Sequence, residues 1–132
     1  MALTFYYGSG SPFAWKVWLA LEHKQVPYDL KVLSFDKGET RAPAFLAVNP
    51  RGKVPTIVDG GLVVWESAAI VEYLEERYPE RPLLPKDIKA RALVRRIAAE
   101  SESFLTPAVS ELFRVTLFRE GPEDTEALAK AH

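Results

Sequence analysis

Seventeen basic and eighteen acidic residues leave this 132-residue chain with a formal net charge of −1, so a nucleic acid is not an expected partner. With 48% apolar and 11% aromatic side chains, the composition is that of a globular protein of about one ordinary domain. The chain has no cysteine and two histidines, His23 and His132, which removes disulfides, thiolate ligands and a protein thiol nucleophile, and leaves neither a zinc site nor a histidine-based triad enough groups. No apolar run reaches the length of a membrane span, and MALTFYYGSGSPF lacks the basic flank and cleavage site of a signal peptide. A cytoplasmic protein with no metal and no membrane partner is the expectation.

In chain order, ALTFYY is rich in β-formers and ends at Gly8, which predicts a strand. Ser11-Pro12 then opens a helix: serine is a favoured cap, and proline at the first helical position gives up only an N–H that has no partner there. Trp15, Val17, Trp18 and Leu19–Leu21 carry that helix to about His23. YDLKVLSF alternates as a second strand, and APAFLAVN is a short helix stopped by Pro50. TIVDGGLVVW is a hairpin around Asp59-Gly60-Gly61. Ser67 is expected to cap the next helix, whose Ile70, Val71, Leu74 and Tyr78 fall at three- and four-residue spacing.

PERPLLPK holds three prolines in eight residues and marks a domain boundary, giving 1–80 and 86–132 as the expected domains. Beyond it, apolar residues from Ile88 to Phe113 predict one long helix, with Pro107 inside it placing a kink about one turn upstream. Gly121-Pro122 is expected to end that helix, and EDTEALAKAH to begin another.

Three short stretches can carry chemistry. In SGSPFAWK, the Ser11 hydroxyl at a helix start can donate to an anion, helped by the helix N–H groups and dipole, and a thiol placed there has its thiolate favoured. A plain N-cap, worth about 1 kcal/mol, is the alternative. Ser9, Tyr6 and Tyr7 are weaker candidates for the same role. In GKVPTIV, a cis Val54-Pro55 bond would turn the Val54 backbone outward to pair with a peptide-like ligand; a trans proline at a strand start is the alternative. Lys53 beside it offers a cation to a carboxylate, or is a solvated loop lysine. In WESAAIVEYL, Ser67 and the helix N–H groups suit a ligand carboxylate and Glu66 a ligand ammonium, with ordinary capping as the alternative. Together these features describe a site for a small zwitterionic peptide bearing a thiol.

The order β-α-β-α-β-β-α with Val-Pro before the third strand resembles the thioredoxin-like domain of cytosolic glutathione transferases. NPRGKVPTIVDGGLVVWESAAIVEYLEERYP is similar to that family's glutathione-binding stretch, and SPFAWKVWLAL to the active-site helix of its serine-type classes. The tau class carries a similar Ser-Pro-Phe, the zeta class a serine-rich version, and the omega class Cys-Pro-Phe where Ser11 stands here. The resemblance implies an α/β thioredoxin-like domain followed by an all-α domain that is incomplete in this chain. It makes Ser11 the donor to the glutathione thiolate, Val54 before a cis Pro55 the backbone partner of the cysteinyl unit, and Lys53 the holder of the glycyl carboxylate. Glu66 and Ser67 would hold the γ-glutamyl end. The implied activity is attack by bound glutathione, the co-substrate, on a small hydrophobic electrophile, as in detoxification, by a homodimer. The alternatives are a non-catalytic module of the same fold, used for binding or dimerisation, and zeta-type isomerisation with glutathione.

Overall fold

The computed structural model describes residues 2–116. The chain divides into two compact units, Met1–Leu83 and Leu84–His132.

In the first unit, strand β1 (Leu3–Gly8) runs into helix α1 (Pro12–Lys24) and strand β2 (Tyr28–Leu33). A helical crossover is what two parallel strands require, and β1 and β2 pair in parallel from Leu3↔Tyr28 to Gly8↔Leu33. A 3-10 turn (Glu39–Arg41) and a short helix α2 (Pro43–Leu46) follow. Helix α2 stops at Leu46, well before Pro50. Strands β3 (Thr56–Asp59) and β4 (Leu62–Trp65) form the hairpin, and helix α3 (Ser67–Arg77) closes the unit. The two-residue turn is Gly60-Gly61 with φ of 57° and 89°, a left-handed geometry that glycine adopts without a Cβ clash. The sheet order is β2-β1-β3-β4, with β3 antiparallel to both neighbours.

The alternation of β1 decides which face is dry. Leu3, Phe5 and Tyr7 point into the core, where Ala14, Val17 and Leu21 of α1 and Ile70 and Leu74 of α3 meet them. Tyr6 takes the opposite face, with its ring 5.2 Å from that of Phe45 on α2. The strand predicted from YDLKVLSF ends at Leu33, and Phe35 leaves it for the turn that follows.

In the second unit, helix α4 (Ile88–Glu100) is capped by Asp87, whose carboxylate accepts the Ala90 N–H at 2.9 Å. The helical path continues through a π-helical turn, Ser101–Leu105, into helix α5 (Thr106–Thr116). Pro107 brings no N–H to the carbonyl of Ser103, one turn earlier, and its ring crowds that carbonyl. Widening the preceding turn is one way a helix absorbs such a defect, and the irregularity falls there. The expected ending at Gly121-Pro122, the helix after it and His132 lie outside the described residues.

Candidate functional site

Gly8 ends β1, and the turn Ser9-Gly10 delivers Ser11 to the head of α1. The Ser11 N–H donates to the Gly8 carbonyl at 3.1 Å, and Gly10 turns at φ 86°. The Ser11 Oγ accepts the Ala14 N–H at 3.2 Å, so it does cap the helix. That bond uses a lone pair and leaves the O–H to donate elsewhere. Ser11 is therefore cap and candidate donor at once. The other candidates go elsewhere: the Tyr7 hydroxyl accepts from Trp15 Nε1 at 2.8 Å, Tyr6 packs on Phe45, and Ser9 is exposed outside the cleft.

The second element is the loop between α2 and β3. Asn49 and Thr56 are both fully buried. Asn49 Nδ2 donates to the Lys53 carbonyl and to Thr56 Oγ1, each at 3.0 Å, while the Thr56 hydroxyl donates to the same Lys53 carbonyl at 2.8 Å. Asn49 Oδ1 accepts the Arg51 N–H at 2.9 Å. Gly52 sits at φ 63°, and a Cβ there would stand 2.8 Å from the Thr40 carbonyl oxygen. Buried polar groups satisfied in this way rigidify the backbone that joins them. They hold Lys53 and Val54, with the Val54-Pro55 peptide in the cis form.

At the start of α3 the sequence expectation needs a correction. The N-cap is Glu66, not Ser67, and no side chain makes a capping bond there. The Glu66 carbonyl accepts the Ile70 N–H at 2.9 Å, which makes Ser67 the first helical residue. Glu66 adopts φ 71° and ψ 116°, a conformation that costs a non-glycine residue about 1–3 kcal/mol and recurs at ligand sites. The serine and the carboxylate are consequently presented from consecutive residues, with Ser67 nearly buried and Glu66 exposed.

These three elements face one cleft of about 440 Å³. Ser11, Lys53, Val54, Pro55, Glu66 and Ser67 all line it. It holds one cationic and one anionic side chain, two hydroxyls and a helix N-terminus at each of two points, a donor set that suits a zwitterion with carboxylates. Gly52, Phe13, Phe35 and Trp65 complete the lining and were not singled out from the sequence. Phe13 and Trp65 sit next to the recognised motifs, so adjacency was the available signal. Phe35 has none, because its place depends on how its turn folds back on β1. Among the described residues, no three His, Asp or Glu side chains gather to hold a metal ion.

Residues 10–77 match the family model for the glutathione S-transferase N-terminal domain. The chain belongs to the glutathione S-transferase family. Its first unit is a thioredoxin-like domain of that family. The chain is 45% identical over 91 residues to glutathione S-transferase 1 of Dianthus caryophyllus, covering 69% of this chain and 41% of that protein. It is likewise 45% identical over 103 residues to the maleylacetoacetate isomerase of Pseudomonas aeruginosa, covering 75% and 47%. Among solved structures, a glutathione S-transferase from the Antarctic clam Laternula elliptica superposes with a TM-score of 0.85 at 40% identity, covering 99% of this chain and 59% of that one. Ure2p in complex with glutathione superposes with a TM-score of 0.86 at 27% identity, covering 98% and 60%. The chain thus spans less than half the length of the Dianthus caryophyllus and Pseudomonas aeruginosa relatives.

Proposed function

We propose that the cleft binds glutathione and activates its thiol for attack on a small apolar electrophile. Ser11 donates its O–H to the sulfur, and the N-terminus of α1 adds to the favourable field, so the thiolate is stabilised and the thiol proton leaves to solvent. The Val54 backbone pairs with the cysteinyl unit, Lys53 holds the glycyl carboxylate, and Ser67 with the α3 N–H groups holds the γ-glutamyl carboxylate. Glu66 meets the ammonium. Binding fixes the sulfur beside the incoming electrophile; as the thiolate forms the new S–C bond, the leaving group departs with its bonding electron pair or, in an addition, the carbanion formed takes a proton from solvent. We read 1–80 as the glutathione-binding domain and 86–132 as part of an all-helical domain, in a cytoplasmic homodimer. No described helix is long and apolar enough to cross a membrane.

The observation that carries this proposal is the convergence of Ser11, Lys53, Val54, Glu66 and Ser67, from three separate stretches, on a single cleft. The test is the thiolate absorbance of glutathione titrated with pH, in the presence of the chain or its Ser11→Ala variant. A thiol pKa depressed by the parent and restored by Ser11→Ala is the expected result. Glutathione bound with no change in pKa leaves a docking module, and no binding overturns the reading.

A second reading, glutathione-dependent cis–trans isomerisation, is favoured by the similarity to the Pseudomonas aeruginosa isomerase. It shares the site and differs in the electrophile. Assaying a maleyl-type substrate beside a conjugation substrate separates the two.

A further inference from the structure

Two tryptophans of α1 and two tyrosines of the sheet make one continuous row. Trp15 and Trp18 stand three residues apart and so share a helix face. On β1, Tyr7 takes the same side as Leu3 and Phe5, and the parallel register Leu3↔Tyr28 puts Tyr28 on that side of β2. Trp15 Nε1 donates to the Tyr7 hydroxyl at 2.8 Å. The Tyr7 and Trp18 ring centroids are 4.8 Å apart with their planes at 67°, an edge-to-face contact. Trp18 Nε1 donates to the Tyr28 hydroxyl at 2.6 Å, and that hydroxyl donates to Glu22 Oε1. Each link is thus a hydrogen bond or a ring contact.

The two ends of the row differ. Trp15 is 47% exposed, and its backbone N–H donates to the Ser11 carbonyl at 3.1 Å, so a solute reaches this indole at the head of α1. At the other end, the Tyr28 phenol is bonded to the carboxylate of Glu22, an exposed residue. Burial, and then Glu22, hold that phenol above its ordinary value, so it carries its proton at rest. A phenol gives up an electron readily only when its proton leaves too, because the oxidised phenol is a strong acid. A carboxylate already at hydrogen-bond distance takes that proton without rearrangement. The indoles behave otherwise. Each points its N–H at a phenolic oxygen, too weak a base to take a proton, and so passes electrons alone.

We infer that Trp15, Tyr7, Trp18 and Tyr28 form a radical-transfer row, which moves a one-electron oxidation from the exposed indole to Tyr28 with Glu22 as the proton acceptor. The oxidant is a diffusible one-electron oxidising radical, which takes an electron from Trp15 and is itself reduced. Trp18 refills Trp15 across the Tyr7 ring, and Tyr28 refills Trp18 across their hydrogen bond. As that last electron leaves, the Tyr28 proton passes to Glu22. The net change is one oxidant reduced, one phenol converted to a phenoxyl radical and one carboxylate protonated. An oxidised indole left at the head of α1 is consumed by dioxygen-derived radicals beside Ser11. A phenoxyl radical resists dioxygen, and a reductant supplying one electron restores the phenol as Glu22 returns the proton. This activity is independent of the glutathione reading.

The experiment is pulse radiolysis with the azide radical, which oxidises indoles in preference to phenols at neutral pH. The full 132-residue chain is used with its third tryptophan replaced throughout, Trp65→Phe, so that radicals begin at Trp15 or Trp18. In this reference chain the indole radical absorbance is expected to give way to phenoxyl absorbance at a rate independent of protein concentration. Adding Tyr28→Phe should abolish the conversion, and adding Trp18→Phe should strand the radical on Trp15. Glu22→Gln exchanges an exposed carboxylate for an amide of the same shape, and should keep the fold while slowing the conversion. Circular dichroism checks the fold of each variant. Conversion at the reference rate in folded Tyr28→Phe, conversion only through encounters between molecules, or none in the reference chain overturns the inference. So does a Glu22→Gln chain that converts as fast as the reference, and that variant decides alone if Tyr28→Phe does not fold.

Discussion

Lys24 and Glu75 are fifty-one residues apart in the chain, yet Lys24 Nζ lies 2.7 Å from Glu75 Oε1 with no solvent access to the lysine side chain. The same ammonium donates to the carbonyls of Tyr78 at 2.9 Å and Arg81 at 3.1 Å, while the Glu75 carboxylate accepts the Leu83 N–H at 2.8 Å. The pair joins the last turn of α1 to α3 and fixes the course of the chain through 78–83. It is also a buried charge with its full set of partners, so the penalty appears when one partner is removed. Glu75→Ala should destabilise the chain by about 3–5 kcal/mol, read as a lower urea midpoint. A midpoint within error of the parent would mean that the pair is solvated in solution.

Asn49 has no charge and no exposure, but it holds the loop that carries Lys53 and Val54. Asn49→Ala leaves the Arg51 N–H without its acceptor and deprives the Lys53 carbonyl of one of its two donors. We expect a loss of about 2–3 kcal/mol in stability, from the stranded polar groups, together with weaker glutathione binding. Unfolding by denaturant and calorimetry on the same variant check both. Lost stability with unchanged affinity would show that the loop keeps its binding geometry without the amide.

Asp59 Oδ2 accepts hydrogen bonds from Tyr73 at 2.6 Å and Tyr78 at 3.1 Å, linking the end of β3 to α3. The bond to Asp59, with burial, pushes the Tyr73 hydroxyl up to about 12; burial first and then the same carboxylate raise Tyr78. A folded chain keeps these protons where an unfolded one, with tyrosines near 10, has released them. The Tyr73 contribution is complete below pH 10 and is lost as pH rises from 10 through about 12. Urea midpoints between those limits should fall steeply for the parent and less steeply for Tyr73→Phe, which is also less stable below pH 10 by about 1–2 kcal/mol. Parallel pH profiles would remove Tyr73 as the source.

Ser67 and Ser11 have separate tasks in the proposed site, and a substitution can tell them apart. Ser67→Ala should weaken glutathione binding by roughly tenfold, the value of a hydrogen bond to a charged group, and leave the bound thiol pKa where the parent sets it. Isothermal titration and thiolate absorbance on one preparation give the two readouts. A shifted pKa with intact affinity would exchange the assignments.

Local patterns were legible in the amino-acid sequence because their causes are local. Ser11-Pro12 is a helix start whatever surrounds it and Gly60-Gly61 is a tight turn, and both stand as read; where a kink was expected upstream of Pro107, the helix takes a π-helical turn. The motif residues of the cleft were legible for the same reason, each being set by its own few neighbours. At the head of α3 this reasoning reached its end: serine propensity named Ser67 as the cap, but the chain enters from β4 and places Glu66 there in a left-handed conformation.

Only the tertiary structure decided which distant groups meet. The seating of Phe35 on Gly8, the Asn49–Thr56 bond and the Lys24–Glu75 pair each join separate elements, and each depends on strand register and helix docking. Phenylalanine, asparagine and lysine have ordinary uses everywhere in a chain, so their composition and spacing carry no mark of such partners. Propensity and pattern act over a few residues, whereas these contacts come from packing to native density, which sums over the whole domain.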